Sequence, residues 1–296
     1  MQFMLQYPDV RGTDADLLDA GPVGELALAA ERAGFAGVSF TEHPAPGARW
    51  LQAGGHQTLD PFVALGAAAA TTTRVRLLTY LAVAAYRNPL LLAKAAATVD
   101  KLSGGRLLLG LGTGYLKGEF RALGVDFDER NELFEETLDV LPMHWKGEPF
   151  SYDGKHFSAR DVIARPRPVQ DPIPLWLGGN SQLTLRRVAA RAHGWMPLLG
   201  SAEMAATTRT FHLDSVESIG ERLALLRELA GDRFPSIAVA VPFAGAEGDG
   251  ATHVEQRRDY FGRLRDIGVD WVIVAPPWGV YPTTLDYVEA FAAAYL

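Results

Sequence analysis

The chain contains no cysteine. That excludes a disulfide framework and thiolate chemistry. Positive charge is scarce: 28 Lys and Arg stand against 35 Asp and Glu, for a net charge of -7. Phosphodiester binding needs a basic footprint, so nucleic acid is not expected as the main partner. Long apolar runs are missing too. The alanine-rich stretches are broken by polar residues and turn signals, so no membrane span is expected. The amino-terminal MQFMLQYPDV has neither a charged n-region nor a long apolar h-region. No signal peptide is therefore expected, and the cytoplasm is the expected compartment. No HExxH or Cys/His cluster occurs, so no metal site is expected, and no GxSxG elbow points to a serine hydrolase.

What is present is rhythm. The 296 residues are 48% hydrophobic, enough for a sizeable core. Tyr86 to Tyr115 reads YRNPLLLAKAAATVDKLSGGRLLLGLGTGY. Asn88 is an N-cap, Pro89 suits a first helical turn, and Ser103-Gly104-Gly105 ends the helix near Leu102. Leu107, Leu108, Leu109 and Leu111 follow without alternation, as in a parallel strand buried on both faces. The strand opens into Gly112-Thr113-Gly114, a glycine-rich loop at its carboxyl end, where α/β folds build their sites.

The same alternation runs through the chain. Strands are expected at Gln2–Gln6, Gly37–Phe40, Val75–Thr79, the leucine run, Leu175–Gly178, Trp195–Leu198, Ile237–Val241 and Trp271–Val274. Helices follow at Val23–Ala33, from Asp60-Pro61 to Ala70, to Leu102, and at Glu129–Trp145. The rest begin at the Ser181 cap and cover Ser218–Ala230, Val254–Ile267 and Thr284–Tyr295. Eight strands each followed by a helix predict a (β/α)8 TIM barrel over 1–296 as a single domain, rather than an open doubly wound sheet. Lys146–Pro174, polar and proline-rich, reads as an insertion before the fifth strand with a small hairpin near Phe150–Phe157.

Candidate site residues cluster at strand ends. Glu42-His43 follows the second strand. A lone histidine there is by default a loop cap, yet imidazole titrates near neutrality and can move a proton. Gly112-Thr113-Gly114 is not a dinucleotide fingerprint, because Tyr115 stands three beyond Gly112. Gly178-Gly179-Asn180-Ser181 leads into a helix N-terminus. An ordinary cap needs Ser181 alone, so the glycines favour phosphate binding, with Asn180 and Ser181 as added donors. Trp50, His56, Tyr80, Tyr115, Trp195 and Trp278 fall at or after strand ends, as walls of a substrate pocket or as loop packing.

Together these motifs resemble the luciferase-like flavin monooxygenase superfamily, which includes bacterial luciferase and the coenzyme F420-dependent oxidoreductases. The resemblance rests on Gly37 to His43, the Tyr86–Gly114 run, Arg165-Pro166-Arg167-Pro168-Val169-Gln170, and Pro174 to Ser181 with Gly194-Trp195. It covers about the first two thirds of the chain and is closest to the F420-dependent branch. It implies a TIM barrel and a flavin-type cofactor, F420 or alternatively FMN, held by Thr79, Tyr80, Leu81, Gly112 to Tyr115 and Gly178 to Ser181. It implies a non-proline cis peptide at Tyr80-Leu81 under the ring. It makes His43 the acid/base or hydrogen-bond donor to the ring, with Glu42 orienting it. Tyr115 departs from the sugar-phosphate enzymes of the superfamily, which carry an acid there.

The expected activity is F420-dependent hydride transfer to or from a small organic substrate. The alternative is an FMN-dependent two-component monooxygenase served by a separate reductase, and a third reading is a flavin-binding subunit without turnover. Arg49, Lys117, Arg186 and Arg187 are candidate cations for the polyglutamate tail of F420. The alanine-rich second and third helices make a homodimer the expected assembly.

Overall fold

The computed structural model describes residues 1–11, 16–208, 210–243, 251, 253–277 and 279–296. Eight parallel strands close on themselves: β1 (Gln2–Gln6), β2 (Gly37–Phe40), β3 (Arg76–Thr79), β4 (Leu107–Gly112), β5 (Leu175–Gly178), β6 (Gly194–Met196), β7 (Ala238–Phe243) and β8 (Trp271–Val274). Each pairs with its neighbours in chain order. Leu109 opposite Leu175 joins β4 to β5, and Phe3 opposite Val272 joins β1 to β8. Eight helices alternate with them: α1 (Val23–Ala33), α2 (Pro61–Thr71), α3 (Pro89–Leu102), α4 (Arg130–Lys146), α5 (Gln182–Arg191), α6 (Val216–Ala230), α7 (Val254–Ile267) and α8 (Thr283–Tyr295). This is the expected (β/α)8 barrel.

Helix starts follow the sequence logic. Asp60 Oδ1 accepts the Phe62 amide at 2.9 Å, and Asn88 Oδ1 accepts that of Leu90 at 2.9 Å. Among the boundaries that differ from expectation, two have clear local reasons. Ser215 and Ser218 cap each other reciprocally, so α6 starts at Val216. Strand β6 ends at Met196 because the backbone of Leu198 is taken by the side chain of Asn180.

Alternation along each strand sorts the core into two shells. Leu5, Val38, Leu77, Leu109, Leu177 and Trp195 face the helices. Met4, Leu78, Leu108, Trp176, Met196, Ala240 and Ile273 fill the barrel itself. Trp176 fits inside only because Gly194 faces it: a Cβ there would meet the indole at 2.5 Å.

The insertion forms an antiparallel hairpin of Phe150–Asp153 and Ser158–Val162. Glu136 of α4 accepts the amides of Lys155 at 2.8 Å and Phe157 at 3.0 Å. The returning Arg165–Gln170 segment is tied to α3 by Asp100, fully buried, which accepts the Val169 and Gln170 amides at 2.7 and 3.0 Å. A second short ladder joins Val10–Arg11, after β1, to His56–Gln57, after β2. It ties two loops together at the carboxyl ends of the barrel strands.

Candidate active site

A cavity of about 340 Å³ opens at those carboxyl ends. Its floor is Tyr80 and Leu81, which follow β3 and are joined by a cis peptide bond, as expected. Gly112, Thr113, Gly114 and Tyr115 line one side, Gly178, Gly179 and Ser181 another, and His43 and His56 a third.

The glycines make close approach possible. A Cβ on Gly178 would sit 2.1 Å from Leu81 Cδ1. One on Gly114, whose φ is +78°, would meet Phe120 and Val83 at 2.7 Å. A volume of this size with an apolar floor and a few polar groups is the usual form of a cofactor pocket.

His43 is held from several sides. Its amide donates to Thr58 Oγ1 at 2.8 Å. Its Nδ1 lies 3.1 Å from Glu119 Oε2, and its Nε2 lies 3.4 Å from the Tyr115 hydroxyl. Its ring packs on Trp50 at 4.6 Å and edge-on to His56 at 4.8 Å between centroids. Trp50 in turn lies across Gly55, where a Cβ would meet the indole at 2.3 Å.

The partner of His43 is therefore Glu119, not Glu42 as the sequence led us to expect. Glu42 is only 4% exposed, and its oxygens are committed elsewhere. Oε2 accepts the Val83 amide at 2.7 Å, and Oε1 is paired with the Arg87 guanidinium. Arg87 also holds Asp60 at 2.7 Å. Burial pushes the Glu42 carboxyl above its usual range, against the pull of Arg87 and of the Val83 amide.

Glu119 sits on the short helix Lys117–Ala122 that follows the glycine loop, and is 1% exposed. Its Oε1 accepts the Ala45 amide at 3.2 Å and its Oε2 the Tyr86 hydroxyl at 2.9 Å. Burial, with Glu119 beside it, raises the Tyr86 phenol. Burial, reinforced by Glu119 and Asp9, pushes Tyr115 up to about 12. Both phenols stay neutral hydrogen-bond donors near pH 7.

Other expectations fare differently. Asn180 is fully buried: its Nδ2 donates to the carbonyls of Leu198 and Phe211 at 2.7 and 2.6 Å, and its own amide donates to Thr210 Oγ1. It holds loops and offers no donor to a ligand. The Gly179 amide is likewise spent on the Met196 carbonyl at 3.1 Å. Ser181 lines the cavity but also caps α5 through the Thr184 amide at 3.1 Å.

Thr79 is locked onto Gly110, exchanging two hydrogen bonds of 2.8 Å, and does not border the cavity. Trp195 is fully buried in the helix-facing shell and donates to the Gly179 carbonyl at 2.9 Å, so it is no pocket wall. Trp278 lies outside the described residues. Arg187 is buried against Glu135 at 2.7 Å and over the Phe134 ring, so only Arg49, Lys117 and Arg186 remain exposed among the proposed tail cations.

Sequence reasoning missed Glu119, Tyr86 and Asp9. The signal for Glu119 was an acid lying between Leu116 and Phe120 in a short apolar stretch. Among the described residues, one group of metal-capable side chains stands apart from the cavity: Glu129, Glu132 and His156, with ligand atoms within 4.8 Å of one another. Lys155 already shares Glu132 there, at 2.6 Å.

Residues 2–224 match the family model for luciferase-like monooxygenases, and the chain belongs to that family. Its members are flavin- and deazaflavin-dependent oxidoreductases and monooxygenases, and this chain is an enzyme of that kind. Three relatives and one solved structure illustrate its range. An uncharacterized protein of Mycobacterium tuberculosis is 32% identical over 80% of this chain and 76% of its own length. An F420-dependent glucose-6-phosphate dehydrogenase of Nakamurella multipartita is 32% identical over 73% of this chain and 65% of its own. An FMNH2-dependent dimethylsulfone monooxygenase of Pseudomonas putida is 36% identical over 36% of this chain and 31% of its own. In fold, the chain is similar to a monooxygenase from Streptomyces bottropensis, with a TM-score of 0.76 at 21% identity over 100% of this chain and 98% of that one.

Proposed function

We propose that this enzyme is an F420-dependent oxidoreductase acting on a small organic substrate that carries a hydroxyl or carbonyl group. The observation that carries the proposal is His43, held by a buried carboxylate and facing a glycine-edged cavity with its Nε2 toward the Tyr115 hydroxyl. When bound, the deazaflavin would supply a hydride acceptor or donor at its C5 carbon. Leu81 and Tyr80 would support its ring, and Gly112, Gly114 and Gly178 would let the ring approach the backbone.

In the oxidative direction, His43 Nε2 would take the proton of the substrate hydroxyl, and the deazaflavin, when bound, would supply the acceptor for the carbinol hydrogen with its bonding electron pair. The substrate carbon loses two electrons, a carbonyl forms, and the proton rests on His43. Tyr86, neutral at pH 7, donates to Glu119 without competing for that proton, and the substrate hydroxyl would replace the Tyr115 hydroxyl as the donor to Nε2. Trp50 shields the imidazole from water on its outer side.

The likeness to the F420-dependent relative over 73% of the chain supports this reading. The FMN-dependent relative, matched over 36% of the chain, favours the second reading, a monooxygenase fed with reduced FMN by a separate reductase. The amides of Ser181, Gln182 and Leu183, ahead of the Thr184 amide that is capped by Ser181 Oγ, are the proposed phosphate seat for either cofactor.

The same reading has the enzyme working in the cytoplasm as a homodimer. Its interface would include the exposed Val63 and Leu91 at the starts of α2 and α3. Among the described residues no helix is long and apolar enough to cross a membrane.

Equilibrium binding of F420 and of FMN to the purified protein, followed by cofactor fluorescence, tests the proposal. Tight F420 with weak FMN binding is expected. The reverse result overturns the deazaflavin assignment, and oxygen uptake with a flavin reductase then tests the monooxygenase.

A further inference from the structure

We propose that Glu119, backed by Tyr86, is the positioning residue of this site. It fixes His43 as the Nδ1–H tautomer and becomes the counter-ion of the imidazolium once Nε2 has taken a proton. This deepens the reading above, in which His43 handles the proton.

A carboxylate can only accept, so the 3.1 Å approach of Nδ1 to Glu119 Oε2 puts the ring proton on Nδ1. Nε2 is then an acceptor. Its 3.4 Å neighbour agrees, since a neutral phenol such as Tyr115 can donate to an unprotonated nitrogen.

Glu119 receives three donors from two segments: His43 Nδ1 and the Ala45 amide after β2, and the Tyr86 hydroxyl after β3. It is itself carried by the helix immediately after the glycine loop of β4. One buried carboxylate thus registers the imidazole, the loop that bears Trp50 and the glycine cradle against each other. The Tyr86 hydroxyl helps hold Oε2 in place, so the carboxylate cannot turn away from His43 without giving up a second bond.

The titratable groups around the His43 ring are few. Glu119 and Tyr115 come from the segment after β4, and Tyr86 reaches it through Glu119. His56 comes from the loop after β2, with Asp9 of the loop after β1 behind it at 3.5 Å. Glu42, adjacent in sequence, is neutralised by Arg87. Glu119 is the sole carboxylate among these within hydrogen-bond reach of His43.

The two roles separate by substitution. In Glu119→Gln the amide oxygen still accepts the Nδ1 proton, but no charge faces the imidazolium. In Glu119→Leu, of similar size, both are lost. Glu119 borders the same cavity, so cofactor affinity is measured alongside turnover in both variants.

The test is a ¹⁵N–¹H correlation spectrum of histidine-labelled protein without cofactor, recorded across pH. Wild type is expected to give His43 as the Nδ1–H tautomer. Glu119→Gln should keep that tautomer, because its amide oxygen still accepts the Nδ1 proton. Glu119→Leu should give a mixture of tautomers. With cofactor and substrate, kcat should fall about 100-fold in Glu119→Leu, cofactor affinity should change less than a few fold, and Glu119→Asp should recover part of the loss.

An Nε2–H tautomer in wild type overturns the proposal, whatever the variants do. An unchanged spectrum in Glu119→Leu overturns it equally. If the tautomer is as expected but His43→Asn keeps full turnover, the functional reading fails and the positioning role stands. Should Glu119→Leu not fold, judged by the remaining histidine signals, the wild-type tautomer and Tyr86→Phe decide, the latter expected to perturb the Nδ1 resonance alone.

Discussion

Asp9 Oδ2, in the loop after β1, lies 3.5 Å from His56 Nε2, in the loop after β2. The same carboxylate accepts Gln6 Nε2 at 2.6 Å and the Thr41 hydroxyl at 2.5 Å. It therefore anchors the ladder that joins those loops, beside the imidazole that touches His43. Asp9→Asn puts an amide donor against these donors. Charge-assisted bonds of this kind are worth about 1.5–3 kcal/mol. Substrate KM should rise about ten-fold or more, and the urea midpoint should drop with it. An unchanged KM would remove the Asp9–His56 contact from the site.

His43 itself gives the sharpest kinetic test of the proposed function. Substitution of a proton-handling group costs on the order of 10²–10⁴ in rate. His43→Asn should lose turnover on that scale while binding the cofactor within a few fold of wild type. Parallel titrations of cofactor fluorescence and steady-state rates separate the two effects.

The cradle can be probed at Gly178. An added methyl would overlap Leu81, whose side chain belongs to the floor beneath the proposed ring. Gly178→Ala should weaken cofactor binding at least ten-fold and leave the thermal midpoint within a few degrees. Gly118, where a Cβ meets nothing within 4 Å, is the control: Gly118→Ala should bind normally.

Two buried carboxylates should pull acid stability in opposite directions. Burial raises the Glu31 carboxyl, but the amides of Arg74, Val75 and Thr73 and the Thr73 hydroxyl outweigh it and hold it down at about 2. Its stabilisation is complete above the unfolded value of about 4.3 and is lost as pH falls towards 2. Glu42, raised by burial, does the reverse: the folded protein keeps its proton longer, so stability falls as pH rises above the ordinary carboxyl value of 4.5. Urea midpoints from pH 2 to 7 should show a flatter acid limb in Glu31→Gln and a smaller loss above pH 4.5 in Glu42→Gln.

Removing Arg87 bears on the same carboxylate. Arg87→Met leaves Glu42 buried without its cation, a change that typically costs about 3–5 kcal/mol. Pairing it with Glu42→Gln should restore most of that loss, because no charge then remains to be compensated. Chemical denaturation of the single and double variants measures the coupling directly.

The barrel was legible because each strand carries its own punctuation. Glycine stops and apolar runs mark β2, β4 and β5 without reference to anything distant. The glycine loops and His43 were legible for the same reason: they stand at strand ends. What failed was orientation. Trp195 and Met196 are neighbours on β6, yet one faces the helices and the other the barrel, and position near a strand end does not say which. Asn180 looked like a ligand donor because its partners, Leu198 and Phe211, lie 18 and 31 residues away and present backbone carbonyls, which carry no sequence signature. Glu119 lies 76 residues from His43, and Glu42 beside it in the chain was the misleading choice.

At the opposite rim, the guanidinium of Arg106 donates to the carbonyls of Ala69, Thr72, Val75 and Ser103 and to the Thr72 hydroxyl, all between 2.7 and 3.1 Å. Glu31 closes the same edge, and neither residue borders the cavity. Two anchors of the scaffold thus lie apart from the cavity that carries the proposed function. Under that proposal, changes in the segment 44–58, and with it Trp50 and His56, would alter the site and leave this base unaltered.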